Sequence, residues 1–251
     1  MELHGDTPSA TTDHGPEAHD TGEIGRWYWT VRRMTVPLHG GWLKVDVGGL
    51  ENVPSDGGVI LAANHLSFLD SVLLMYAPPR RVTFLGKQEY VTARATRRLF
   101  PAAGMIPVDR SGRGVARSLG LAIERLRAGE IVGIFPEGTR SRDGLLHPGH
   151  PGVAHMALKS GAPIVPVGIV GSDRSMAPGR LLPNRSPISV TFGEPIDLGP
   201  WAGRPCNKTT KAEITEEVMA CIANISGQER VTATSPSAAP VPVGVDLPRA
   251  G

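Results

Sequence analysis

The chain has 251 residues, 40% of them hydrophobic and 20% charged, with a net charge of +2, which is the balance of one folded core and excludes a wholly disordered polymer. Its two cysteines, Cys206 and Cys221, have neither CxxC spacing nor clustered histidines, which argues against a disulfide framework and against a zinc site. No apolar run reaches the roughly 18–20 residues of a membrane-spanning helix, and the opening MELHGDTPSA lacks the basic flank and apolar stretch expected of a signal peptide.

Residues 1–23 hold six acids and no Lys or Arg. With few bulky apolar groups they cannot offset the entropy of ordering, and they read as a disordered acidic tail. Residues 24–42 form an amphipathic segment in which Trp27, Tyr28, Trp29 and Trp42 are mixed with Arg26, Arg32 and Arg33. Two readings stand. Rings and guanidinium groups suit the headgroup depth of an anionic membrane, and a helix packing its rings on the core would have the same composition.

Residues 43–227 carry the pattern of a folded domain. The runs WLKVDV, VILAAN, VTFLG, IVGIF, PIVPVGIV and ISVTFG are strand-like. The first and last alternate with period two, while the middle ones are continuously apolar, as strands covered on both faces must be. Between them, Val115, Leu119, Ile123 and Leu126 recur at helical spacing before Gly129, and Ile214, Val218, Ile222 and Ile225 do so before Gly227. Glycine is a frequent stop for helices. Strands alternating with helices predict a single α/β domain with a central mixed or parallel sheet flanked by helices. Residues 228–251, rich in Ser, Pro, Ala and Gly, read as a second disordered tail. Residues 80–127 hold eleven Lys or Arg against three acids, a basic middle that suits phosphate groups or an anionic surface.

The chemistry-bearing residues cluster at strand ends. Asn64-His65-Leu66-Ser67-Phe68-Leu69-Asp70 follows the strand VILAA. Residues five apart diverge on one helix, so His65 and Asp70 can meet only if the histidine lies in the loop and the aspartate in the first helical turn. A carboxylate behind an imidazole makes a general base. The competing reading makes Asp70 the acidic member of a Ser67-x-x-Asp70 helix cap. Ser67 lacks the G-x-S-x-G elbow of a serine nucleophile. Phe135-Pro136-Glu137-Gly138-Thr139-Arg140-Ser141-Arg142 follows the strand IVGI and offers backbone amides, hydroxyls and guanidinium groups to a phosphate. Arg110 follows the short apolar step Met105–Val108, and Lys87 ends another apolar run.

Four blocks in this order, NHLSFLD, GMIPVDR, FPEGTRS and IVPVGI, resemble the glycerolipid acyltransferases of the 1-acylglycerol-3-phosphate acyltransferase type, from about Trp42 to Leu198. The resemblance implies that His65 and Asp70 are the catalytic pair. It further implies that Arg110, Glu137, Gly138 and Thr139 contact the glycerol-phosphate acceptor, while Lys87 at a strand end and Arg140 in the loop are candidate substrate-binding cations by their position and charge. Where many members carry a basic-Gly step after the third block, this chain reads Gly149-His150-Pro151-Gly152. The implied reaction moves a fatty acyl group from acyl-CoA or acyl carrier protein to a lysophospholipid hydroxyl, with no metal and no cofactor beyond that co-substrate. The alternatives are another acceptor, namely glycerol 3-phosphate, a different lysophospholipid or a glycolipid, or a non-catalytic lipid- or phosphate-binding protein of the same fold. The expected partners are the thioester, the lysophospholipid and an anionic membrane touched peripherally from the cytoplasm, without nucleic acid.

Overall fold

The apolar runs lie side by side in one seven-stranded sheet. The computed structural model describes Tyr28, Thr30, Arg33 and residues 43–87, 105–108, 112–176 and 183–231. In chain order these give β1 (Val45–Gly48), β2 (Val59–Ala63), helix α1 (Leu69–Tyr76), β3 (Val82–Lys87), β4 (Met105–Val108), α2 (Gly112–Arg127) and β5 (Ile131–Ile134). They continue with α3 (Gly152–Ser160), β6 (Ile164–Val170), the one-turn α4 (Ser172–Ser175), β7 (Ile188–Phe192) and α5 (Lys208–Ser226). The strand order is β1-β7-β6-β2-β5-β3-β4. Every neighbouring pair is parallel except β6 with β7, so the sheet is mixed and the α/β class read from the sequence holds.

The central strand explains the layering. All five residues of β2 are buried, and alternate side chains of a strand point to opposite faces. Ile60 and Ala62 join the core beneath α2, α3 and α5, whereas Val59, Leu61 and Ala63 join the core beneath α1. Because β2 and β5 are parallel neighbours, the loops that leave their C-terminal ends emerge together. That is where ligands bind in open α/β sheets.

Some details depart from the pattern. Val115 opens the apolar stripe of α2 but is 37% exposed, since the helix begins beyond the reach of the core. Met105–Val108, read only as an apolar step, forms edge strand β4, where Pro107 is tolerated. Tyr28 is fully buried. Its hydroxyl accepts a hydrogen bond from Val82 N at 3.0 Å and donates to Met75 O at 3.1 Å, with the Arg81 guanidinium 5.5 Å from its ring centre. This ring therefore packs on the core, while Thr30 and Arg33 are exposed; Arg26, Trp27, Trp29, Arg32 and Trp42 lie outside the described residues. Residues 228–231, grouped with the tail by composition, run beside Leu146: Leu146 N donates to Glu229 O at 2.8 Å and Val231 N to Leu146 O at 3.0 Å.

Candidate active site

His65 sits two residues beyond β2, and Asp70 lies in the first turn of α1. Asp70 is fully buried. Its Oδ2 accepts from His65 Nδ1 at 3.0 Å, from Leu66 N at 2.7 Å and from Ser67 N at 2.7 Å. Because the carboxylate can only accept, Nδ1 carries the ring proton and Nε2 is the basic nitrogen. Oδ1 of Asp70 is buried with no partner among the described residues. Both readings of the aspartate are thus realised by one oxygen, which closes the turn at Ser67 and orients the imidazole. Ser67 is buried, its hydroxyl donating to Met176 O at 3.0 Å and accepting from Leu69 N at 3.3 Å, which gives it a structural role.

Phe135, at the end of β5, stacks on the imidazole with ring centroids 3.9 Å apart and planes 12° from parallel. One face of His65 is closed by this ring, which limits rotation about its side chain. The His65 side chain is only 16% exposed.

The loop after β5 clamps the backbone of His65. His65 N donates to Glu137 Oε1 at 3.0 Å, and Ser141 N donates to His65 O at 2.7 Å. The other oxygen of Glu137 accepts from His147 N at 3.1 Å. Glu137, implied by the resemblance to touch the acceptor, is 4% exposed, with both oxygens engaged by backbone N–H groups. Its geometry is that of a positioning residue. Gly138 adopts φ 69°, and a Cβ there would lie 2.9 Å from His150 Cδ2, so both conformation and space select glycine. Gly138, Thr139 and Arg140 are exposed on this loop. Lys87 ends β3, and its side chain lies outside the described residues, as does Arg110. Of the predicted set, the structure brings His65, Asp70 and Glu137 into one bonded network. Asn64, Phe135 and Ser141, which lie inside the quoted motifs but were not given these contacts, join it together with His147, which no motif contains, because backbone and stacking contacts leave no spacing signature.

Burial pushes the Glu137 carboxyl above the ordinary glutamate range, and the N–H groups of His147 and His65 draw it partly back. A raised native pKa means that this group's stabilising contribution is complete below the ordinary glutamate value and is lost as pH rises through the elevated one. Glu137→Gln removes that titration and turns an NH2 group toward one of the two N–H donors. The expected result at neutral pH is a loss of about 1–3 kcal/mol, with a flatter dependence of stability on pH across this window than in wild type. Urea unfolding at several pH values measures both.

A carboxylate-backed imidazole on the C-terminal rim of a mixed α/β sheet is an arrangement with the geometry to accept a proton. The chain belongs to the acyltransferase family, whose model matches residues 44–170. It is 30% identical over 185 residues to the 1-acyl-sn-glycerol-3-phosphate acyltransferase of Bacillus subtilis strain 168, covering 73% of this chain and 87% of that one. To the chloroplastic 1-acyl-sn-glycerol-3-phosphate acyltransferase BAT2 of Brassica napus it is 33% identical over 156 residues, 61% of this chain and 45% of that one. The chain spans about half the length of the plant relatives it matches. The crystal structure of the 1-acyl-sn-glycerophosphate acyltransferase PlsC from Thermotoga maritima superposes with a TM-score of 0.59 at 25% identity, covering 81% of this chain and 78% of that one.

Proposed function

We propose that the protein transfers a fatty acyl group from acyl-CoA or acyl carrier protein to the free hydroxyl of 1-acylglycerol 3-phosphate, with His65 as the general base. The observation that carries this reading is the 3.0 Å contact between His65 Nδ1 and the buried Asp70, and the acceptor is the one in the relatives' names. His65 Nε2 takes the hydroxyl proton as the oxygen attacks the thioester carbonyl. The tetrahedral intermediate collapses with cleavage of the C–S bond, and the leaving thiolate receives the proton. Asp70 stabilises the imidazolium between these events.

Among the described residues no helix is long and apolar enough to cross a membrane. A peripheral position on an anionic cytoplasmic membrane face is supported by Arg26, Arg32 and Arg33 in the aromatic segment, each worth about 1 kcal/mol at such a surface.

The test is thiol release from palmitoyl-CoA with 1-acylglycerol 3-phosphate, glycerol 3-phosphate and a choline lysophospholipid as acceptors. The first is expected to be fastest, and no release above background with any acceptor refutes the transferase reading. Arg110 is proposed as the acceptor-phosphate ligand. Arg110→Ala is expected to lower kcat/KM for the acceptor by about tenfold to a few hundredfold, as for loss of a charge-assisted pair, with Arg110→Lys in between. The thioester KM stays near wild type. Steady-state kinetics varying each substrate separately check this, and an unchanged acceptor KM removes Arg110 from the site.

A further inference from the structure

Gln228 belongs to none of the four sequence blocks and lies beyond the residues matched by the family model. It follows Gly227, which caps α5 in the left-handed region at φ 69° and turns the chain back toward the rim of the sheet. Its side-chain amide spans two loops. Oε1 accepts from Asn64 Nδ2 at 2.6 Å, and Nε2 donates to Gly144 O at 2.9 Å. Only this orientation of the amide satisfies both neighbours, since the reverse sets oxygen against oxygen.

Each of those neighbours leads to His65. Asn64 precedes it directly, and is fully buried with its side chain paired to Ile169 at both N and O, each at 2.8 Å. That pairing extends the β2–β6 ladder by one side-chain step. Gly144 lies three residues before His147, whose N–H holds Glu137 Oε2 while Glu137 Oε1 holds His65 N. The bonds of Leu146 to Glu229 and Val231 fasten the same loop. The two strands of contact converge on the backbone of one residue, His65, from its covalent neighbour Asn64 and from the carboxylate that accepts its N–H.

We infer that Gln228 is a positioning residue for the general base, joining the loops after β2 and β5 so that His65 is held at its carboxylate. This rests on the reading of His65 as the base of acyl transfer. It assigns Gln228 no contact with substrate, so its loss acts on turnover and leaves binding intact.

The experiment uses full-length Gln228→Ala and Gln228→Glu. The second keeps the volume and the acceptor for Asn64 but sets an oxygen against Gly144 O. With palmitoyl-CoA and 1-acylglycerol 3-phosphate, kcat is expected to fall about tenfold or more in both variants, with each KM within about twofold of wild type. Amide hydrogen exchange, followed residue by residue by NMR, is expected to quicken about tenfold at His65 and His147 and to stay unchanged at Leu61 in β2. Unchanged kcat and unchanged exchange at His65 overturn the inference. So does a uniform rise in exchange through β2 with a matching fall in melting temperature, which marks a merely structural residue. If wild type releases no thiol while exchange responds as expected, the acyl-transfer reading falls and the placement of His65 by Gln228 stands.

Discussion

His65→Ala is expected to lower kcat for acyl transfer by about 10²- to 10⁴-fold, the usual contribution of a positioned general base. The fold should survive it. Asp70 Oδ2 keeps two of its three donors, Leu66 N and Ser67 N, so the buried carboxylate is not left bare. What is lost besides the base is one hydrogen bond and the stacking on Phe135, together about 1–2 kcal/mol, or a few degrees in melting temperature. The measurement is kcat from thiol release beside a thermal melt. Activity within a few-fold of wild type would remove His65 from the chemistry, and a collapse of the melt would show that its packing role had been underestimated.

Asp70→Asn separates charge from shape. The amide oxygen can take the place of Oδ2 and accept from the same three donors. Its NH2 then occupies the position of Oδ1, which is buried and has no partner among the described residues. The geometry of the histidine loop survives, and the negative charge behind the imidazolium does not. A loss of about ten-thousandfold in kcat is expected, the size of fall that follows an aspartate-to-asparagine change behind the histidine of a serine-protease triad. Because Nδ1 still has an acceptor, substrate KM values should change little. A kcat within tenfold of wild type would mean that Asp70 serves the helix cap and not the base.

Much of this site was legible in the sequence because its central pair is local. A histidine and an aspartate five residues apart, across a strand-to-helix junction, have one way to meet, and His65 and Asp70 meet that way. The strands were legible for a similar reason, since a run such as VILAA is too apolar to lie anywhere but between two layers. Glu137 was found as a residue, but its partners were not, because they are the backbone N–H groups of His65 and His147 and carry no residue identity. Gln228 was grouped with the tail on composition, since the stretch from 228 to 251 is rich in Ser, Pro, Ala and Gly. Only the turn at Gly227 shows that its amide reaches back to Asn64. Val115 shows the opposite failure: periodicity assigned it the right stripe but could not tell how far the core extends.

The bond between His65 N and Glu137 joins residues 72 apart, and β2 finds its parallel neighbours β5 and β6 only after long crossovers. Contacts of such sequence separation form late, because loop closure must precede any stabilisation they give. In a chain emerging from its N-terminus, the imidazole and its carboxylate are synthesised well before the residues that lock them. A half-made domain therefore carries the histidine–aspartate pair without its clamp, and the complete network around His65 forms as one of the last steps of folding. Recovery of turnover on refolding then reports completion of the β2–β5–β6 centre of the sheet, whereas helix content, gained from local contacts, returns earlier.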